Sequence, residues 1–134
     1  MNRDRVLPIA ESFIRYLETG TPESGLFAPD VFCDFTLPRW RLQASGLESV
    51  LALRRQGHPG PGRVPRWRCD ATPDGIVIEV EERWQQGGMD WYSREMMRAV
   101  LRGDSISELT VYCTGDWDAQ REAEHRASVT LLRA

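Results

Sequence analysis

From Arg63 to Trp117 the chain reads RVPRWRCDATPDGIVIEVEERWQQGGMDWYSREMMRAVLRGDSISELTVYCTGDW. Three turn clusters punctuate it: Thr72-Pro73-Asp74-Gly75, Gln86-Gly87-Gly88 and Gly103-Asp104. The segments between them are rich in Val, Ile, Trp, Tyr and Met. Apolar segments joined by short Gly- and Asp-bearing turns read as antiparallel hairpins, so four consecutive strands are expected here. The chain before residue 63 reads mostly as helix or irregular structure. That order predicts an α+β domain, a curved antiparallel sheet with helices packed on one face.

Working outward, residues 4–19 read as an amphipathic helix. Val6, Ile9, Phe13 and Leu17 recur at helical spacing, Pro8 lies near the first turn and Gly20 supplies a stop. Thr21-Pro22 reads as a cap opening a short helix to about Phe27. Val31 to Leu37 reads as a short strand ended by Pro38. Ser45-Gly46-Leu47-Glu48 has the spacing of a capping box, and the helix it opens carries Leu47, Val50 and Leu51 on one face to Gly57. Asp116 or Asp118 caps a last helix through Arg126. The apolar tail Val129-Thr130-Leu131-Leu132 is expected to dock on the body.

The 134 residues suit a single domain, 1–134, able to bury its own core. No apolar run is long enough to span a bilayer, and Met1 to Arg5 is not followed by the apolar core of a secretory leader. A net charge of -3 weighs against nucleic acid or an anionic membrane as partner. Cys33, Cys69 and Cys113 are odd in number and form no C-x-x-C pair, which points to a reducing, cytoplasmic setting without a disulfide framework or metal site. All 17 basic residues are Arg, so a lysine Schiff base is excluded. No metal or other cofactor is expected.

Alternation assigns the faces of the strands. Trp91, Ser93, Glu95, Met97, Ala99 and Leu101 share one face; Tyr92, Arg94, Met96, Arg98, Val100 and Arg102 share the other, wetter one. Glu95 is thus a lone carboxylate on an apolar face. Burial without a partner raises a carboxyl pKa, which is how a general acid or base is made. The alternatives are a structural pairing of Glu95 with an Arg, or a slip of the strand by one residue. In the preceding strand Ile78, Val80, Glu82 and Trp84 oppose Val77, Glu79, Glu81 and Arg83. The apolar set suits a core and the charged set a polar pocket, and both orientations stay open. Glu79 and Glu82 read as solvated charges, and His58 as a surface loop residue. Leu109, Val111 and Cys113 alternate inward on the next strand, with Cys113 a buried, inert thiol. Asp34 faces opposite to Cys33 and Phe35, inward or outward. His125 falls in the last turn of the final helix. Among the five Trp residues, Trp40 and Trp91 are candidates to line a pocket for a flat hydrophobic ligand.

The element order, together with Glu82-Arg83, Arg94-Glu95, Asp104-Ser105-Ile106 and Val111-Tyr112, resembles the NTF2-like superfamily, and within it the SnoaL-like bacterial proteins. The resemblance covers nearly the whole chain and implies a cone-shaped fold with a pocket between the sheet and the first helices. It implies a cofactor-independent cyclase, isomerase, dehydratase or hydrolase acting on a hydrophobic intermediate of secondary metabolism, or else a non-catalytic binding or dimerisation module. Ketosteroid isomerases hold a catalytic acid within one residue of the position of Glu95. Limonene-epoxide-hydrolase-like members use an Asp-Arg-Asp set, in which Arg83 matches the Arg while Gln85 and Val111 replace the two Asp. On this basis Glu95 is the expected acid/base, Arg83 its oxyanion partner, and His125 or Asp34 completes a proton relay. Trp40, Trp91, Met97, Leu109, Val111 and Cys113 are the expected substrate-binding residues. The superfamily also implies a homodimer through the Arg-Met face of the strand from Tyr92 to Arg102.

Overall fold

The computed structural model describes residues 1–133. Helix α1 (Arg3–Thr19) starts at Asn2, whose side chain accepts from the Arg5 N–H, and stops at Gly20, whose left-handed backbone returns its N–H to Tyr16 O at 2.7 Å. It is followed by β1 (Phe27–Thr36), β2 (Arg41–Ser45), α2 (Leu47–Gly57), β3 (Gly62–Thr72), β4 (Gly75–Gln86), β5 (Met89–Arg102), β6 (Ser105–Cys113), β7 (Trp117–Asp118) and α3 (Ala119–Ser128).

The strands form one sheet in the order β2-β1-β6-β5-β4-β3, with β7 paired to β5 beyond the end of β6. The run β3 to β6 is the antiparallel meander expected from the turn clusters. The sheet is nonetheless mixed, because β1 pairs parallel to β6. Helix α1 packs on β3 and β4, and α2 on β1 and β2. Between helices and sheet lies one core, built from Val6, Phe13 and Leu17 of α1, Val50 and Leu51 of α2, Ile76, Ile78 and Val80 of β4, and Met97, Ala99 and Leu101 of β5. Alternation therefore resolves as apolar-inward on β4 as well as β5, which carries Glu82 and Glu95 into the interior.

Three local expectations fail for identifiable reasons, and one strand forms that no local signal announces. The segment 21–26 makes no helix: Gly25 takes a φ of 85° and Leu26 N–H turns back to Glu23 O, feeding the chain directly into β1 at Phe27. Strand β2 was not expected, since it is short and mostly exposed; its partner β1 defines it. The capping box does not form, because Ser45 is spent in β2 opposite Phe32, and Gly46 at φ 91° caps α2 without a side-chain bond. The tail does not dock: Val129 and Leu131 are exposed and Leu132 is 97% exposed. Among the described residues no helix is long and apolar enough to cross a membrane.

The β4–β5 hairpin depends on one glycine. A Cβ at Gly75 would stand 1.9 Å from the Ala99 carbonyl oxygen, a backbone atom that cannot step aside. Gly75→Ala should therefore destabilise the fold by about 3 kcal/mol in chemical denaturation. Gly60→Ala, with nothing within 4 Å of its Cβ, should change stability by no more than about 0.5 kcal/mol.

Candidate active site

A cavity of about 120 Å³ lies between α1, α2 and the inner face of the sheet. Its walls are mainly apolar, drawn from Phe13, Leu17, Phe35, Val50, Met97 and Val111, among others. It opens past Gly57 and Asp116, both exposed. Space of this order accepts a single six-membered ring.

The floor is polar and belongs to three elements. Glu95 on β5 is 5% exposed and Glu82 on β4 is 3% exposed, and their carboxyls hydrogen-bond one another. Arg54, from the last turn of α2, grips Glu82 with both terminal nitrogens at 3.0 and 2.5 Å. The same guanidinium donates to Leu17 O at 2.8 Å, satisfying a carbonyl left free at the end of α1. Ser93 Oγ donates to Glu95 Oε1 at 3.2 Å. Arg54 and Glu95 face the cavity, while Glu82 lies behind them.

The two carboxyls have opposite electrostatics. Burial raises Glu95 well above its ordinary value, and the Glu82 charge and hydrogen bond raise it further against the weaker pull of Arg54. Burial alone would also raise Glu82. Its hydrogen bond with Glu95, the Arg54 charge and the two Arg54 hydrogen bonds outweigh that, holding it below the usual carboxylate range. The two shifts are opposite in sign, so within the pair Glu82 ionises first and Glu95 keeps its proton to higher pH.

Two further groups reach the cavity. His58 follows α2, and its ring lies 4.2 Å from that of Trp84, centre to centre. Burial and then the Arg54 charge lower its pKa to about 4, so it is neutral at physiological pH. Trp84 Nε1 is buried without a hydrogen-bond partner among the described residues. Asp116, at the mouth, is raised by desolvation and then by the Glu82 charge. The thiols do not qualify as nucleophiles, since burial pushes Cys33 to about 11 and Cys113 to about 12. No group of three or more metal-ligating side chains occurs among the described residues.

Of the residues singled out from sequence, Glu95, Met97, Leu109 and Val111 line the cavity. Cys113 sits opposite Glu95 in the β5–β6 register, half-buried, its Sγ accepting from Gly115 N–H at 3.3 Å. The others lie elsewhere. Arg83 falls on the outer face of β4 because Glu82 takes the inner one; it bonds Glu122 of α3 at 3.1 Å and lies over the Tyr92 ring at 4.5 Å. His125 packs at a tilt against Trp117, 5.4 Å between ring centres, in that same outer cluster. Asp34 faces outward and binds Arg41 through both carboxylate oxygens. Trp40 is 66% exposed in the β1–β2 turn, and Trp91 stands opposite Trp84, donating to Gln86 O at 3.3 Å.

Sequence reasoning missed Arg54, Glu82 and His58. The first two carried a usable signal. Arg54 follows Val50 and Leu51 by four and three residues, on the apolar face of its helix, and Glu82 alternates with Ile78, Val80 and Trp84. Opposite charges on two apolar faces are candidates for a buried pair. His58 carried no such signal, because only the path of the loop brings it to the cavity.

No protein-family model matches the chain, and no curated protein matches it. Solved structures do. An NTF2-like protein of Anabaena variabilis superposes with a TM-score of 0.69 at 18% identity, over 85% of this chain and 92% of that one. An NTF2-like protein of unknown function from Burkholderia xenovorans gives 0.57 at 17% identity, over 99% of both chains. A protein of Catenulispora acidiphila with a ketosteroid-isomerase-like fold, solved with trimethylamine, gives 0.63 at 14% identity over 80% of this chain and 85% of that one. These likenesses establish the architecture: the chain has the NTF2-like, ketosteroid-isomerase-like α+β fold.

Proposed function

We propose that the chain is a cofactor-independent acid/base enzyme acting on a hydrophobic small molecule, with Glu95 as the proton-bearing group. The observation that carries this reading is a buried carboxyl facing an apolar cavity beside Arg54, with the Arg54-bound Glu82 carboxylate behind it, surroundings that raise its pKa. A neutral carboxyl in such a site donates a proton to a carbonyl, hydroxyl or ether oxygen of the guest. The Glu82 carboxylate, hydrogen-bonded to Glu95, keeps the proton in place between turnovers. Ser93 fixes the carboxyl's orientation from behind. His58 and Asp116 face the same space and are the candidate acceptors for a proton leaving the guest. Cyclisation, isomerisation, dehydration and hydrolysis are reaction classes that such a donor-and-acceptor arrangement can serve.

A binding module is the competing reading, favoured by the small volume of the cavity. Turnover separates the two. In a screen of hydrophobic ketones, enols and epoxides, Glu95→Gln should lower the rate of any reaction found by roughly 100-fold or more. The same variant should keep a cooperative thermal melt. A folded Glu95→Gln protein with full turnover removes Glu95 from the chemistry.

The protonation state has its own test. The native pKa of Glu95 lies above its unfolded value, so its contribution to stability is fully present below about pH 4.5. Above that, the unfolded chain releases a proton the native one retains. The stability of the wild type relative to Glu95→Gln should therefore fall by about 1.4 kcal/mol per pH unit until the native pKa is reached. Denaturation of both proteins from pH 4 to pH 8 measures this, and a flat difference places the proton elsewhere.

The homodimer is likewise a proposal. On the outer face, Arg94 is paired with Glu79 and Glu81, and Arg98 with Asp74. Met96 and Tyr112 stand opposite one another, exposed between these pairs. If this island is the centre of the interface, Met96→Glu with Tyr112→Glu converts a dimer to a monomer in light scattering. A wild type that is monomeric at high micromolar concentration rules the interface out.

A further inference from the structure

Polar and charged groups reach the cavity from α1, α2, β5 and the segment after β6. Helix α1 offers Tyr16, whose phenol burial pushes up to about 12 and keeps neutral. Helix α2 and the residue after it offer Arg54 and neutral His58. Strand β5 offers Glu95, whose pKa burial raises well above its ordinary value, and the segment after β6 offers Asp116 at the mouth. Arg54 is the one cation among the described lining residues. Three hydrogen bonds occupy its terminal nitrogens, two to Glu82 and one to Leu17 O.

An anion entering this space gives up its hydration and finds Arg54 already neutralised by a carboxylate that it cannot displace, because Glu82 lies behind Arg54 and is 3% exposed. It also passes the Asp116 carboxylate. A neutral guest avoids both costs and meets a carboxyl proton at the floor. We infer that Glu82 is the specificity-determining residue of this cavity: by its two-point grip on Arg54 it makes the site refuse anions and take a neutral, ring-sized molecule bearing an acceptor oxygen. This inference rests on reading the cavity as a ligand site, and it adds the chemical class of the ligand and the residue that selects it.

The test uses two ring-sized probes, cyclohexanone and cyclohexanecarboxylate, titrated into the intact protein while the Met97 methyl signal is followed by NMR. Wild type should bind the ketone at least about tenfold more tightly than the carboxylate. Glu95→Gln should keep that preference, since the Arg54–Glu82 pair remains. Glu82→Gln combined with Glu95→Gln leaves Arg54 as an unpaired cation, and the preference should shift toward the carboxylate by about tenfold or more. Should that variant not fold, Arg54→Met with Glu82→Met removes both charges together, and the preference for the ketone should persist.

The inference is overturned if wild type binds the carboxylate as well as the ketone, if the folded double-Gln variant gains no affinity for the carboxylate, or if the double-Met variant loses the preference. Absence of binding by either probe in every variant also overturns it, and the ligand-site reading with it. Binding without charge preference overturns this inference alone and leaves the acid/base reading standing.

Discussion

The fold turns on one ion pair buried where α1, α2 and β4 meet. Taking an arginine and a glutamate out of water costs several kcal/mol per ion, and the return comes only if the remaining donors and acceptors are met. Here they are: Arg54 contributes two bonds to Glu82 and one to Leu17 O, so one guanidinium ties the end of α2 to the sheet and to the end of α1. A cation at a helix C-terminus also meets the negative end of the helix dipole. Such a pair is seldom retained for stability alone, because apolar residues of similar volume often serve as well. Its chemical consequence is Glu95. A carboxylate fixed by Arg54 raises the pKa of the adjacent buried carboxyl, which faces the cavity at its floor.

The scaffold suits that arrangement. Glu82, Ser93 and Glu95 sit on neighbouring strands of the sheet rather than on loops, in a register where Glu82 faces Ser93 and Val80 faces Glu95. Strand positions hold side chains more closely than loop positions do. The apolar walls contributed by α1, β1 and β6 keep the dielectric low, and a low dielectric keeps the shared proton on one carboxyl.

The opposite side of the sheet uses the same residue types to different effect. Arg83, Tyr92, Glu122, Trp117 and His125 form a cluster that holds β7 and α3 against β4 and β5. Helix α3 buries none of its residues, so this cluster, with the β5–β7 pairing, is what fixes it in place. Arginine, histidine and glutamate are thus structural on the outer face. On the inner face, where water is excluded, they alter each other's proton affinity.

Much of this was legible in the sequence. The turn clusters defined the hairpins from β3 to β6, since backbone geometry at Gly and Asp is local. Alternation along β5 put Glu95, Met97 and Ala99 on one face, because side chains on a strand follow a period of two whatever the strand packs against. What alternation could not say for β4 was which set faced inward. That choice came from α1 and α2, whose apolar faces required Ile78 and Val80 and so carried Glu82 in and Arg83 out. The pairing of Arg54 with Glu82 spans 28 residues and the parallel register of β1 with β6, as in Cys33 opposite Leu109, spans 76 (109 − 33); neither is a local property. Sequence determined that a carboxyl would be buried at position 95. Tertiary structure alone decided that its neighbour would be a second carboxyl already neutralised by an arginine, because only the closing of helices over the sheet brings those three charges out of water together.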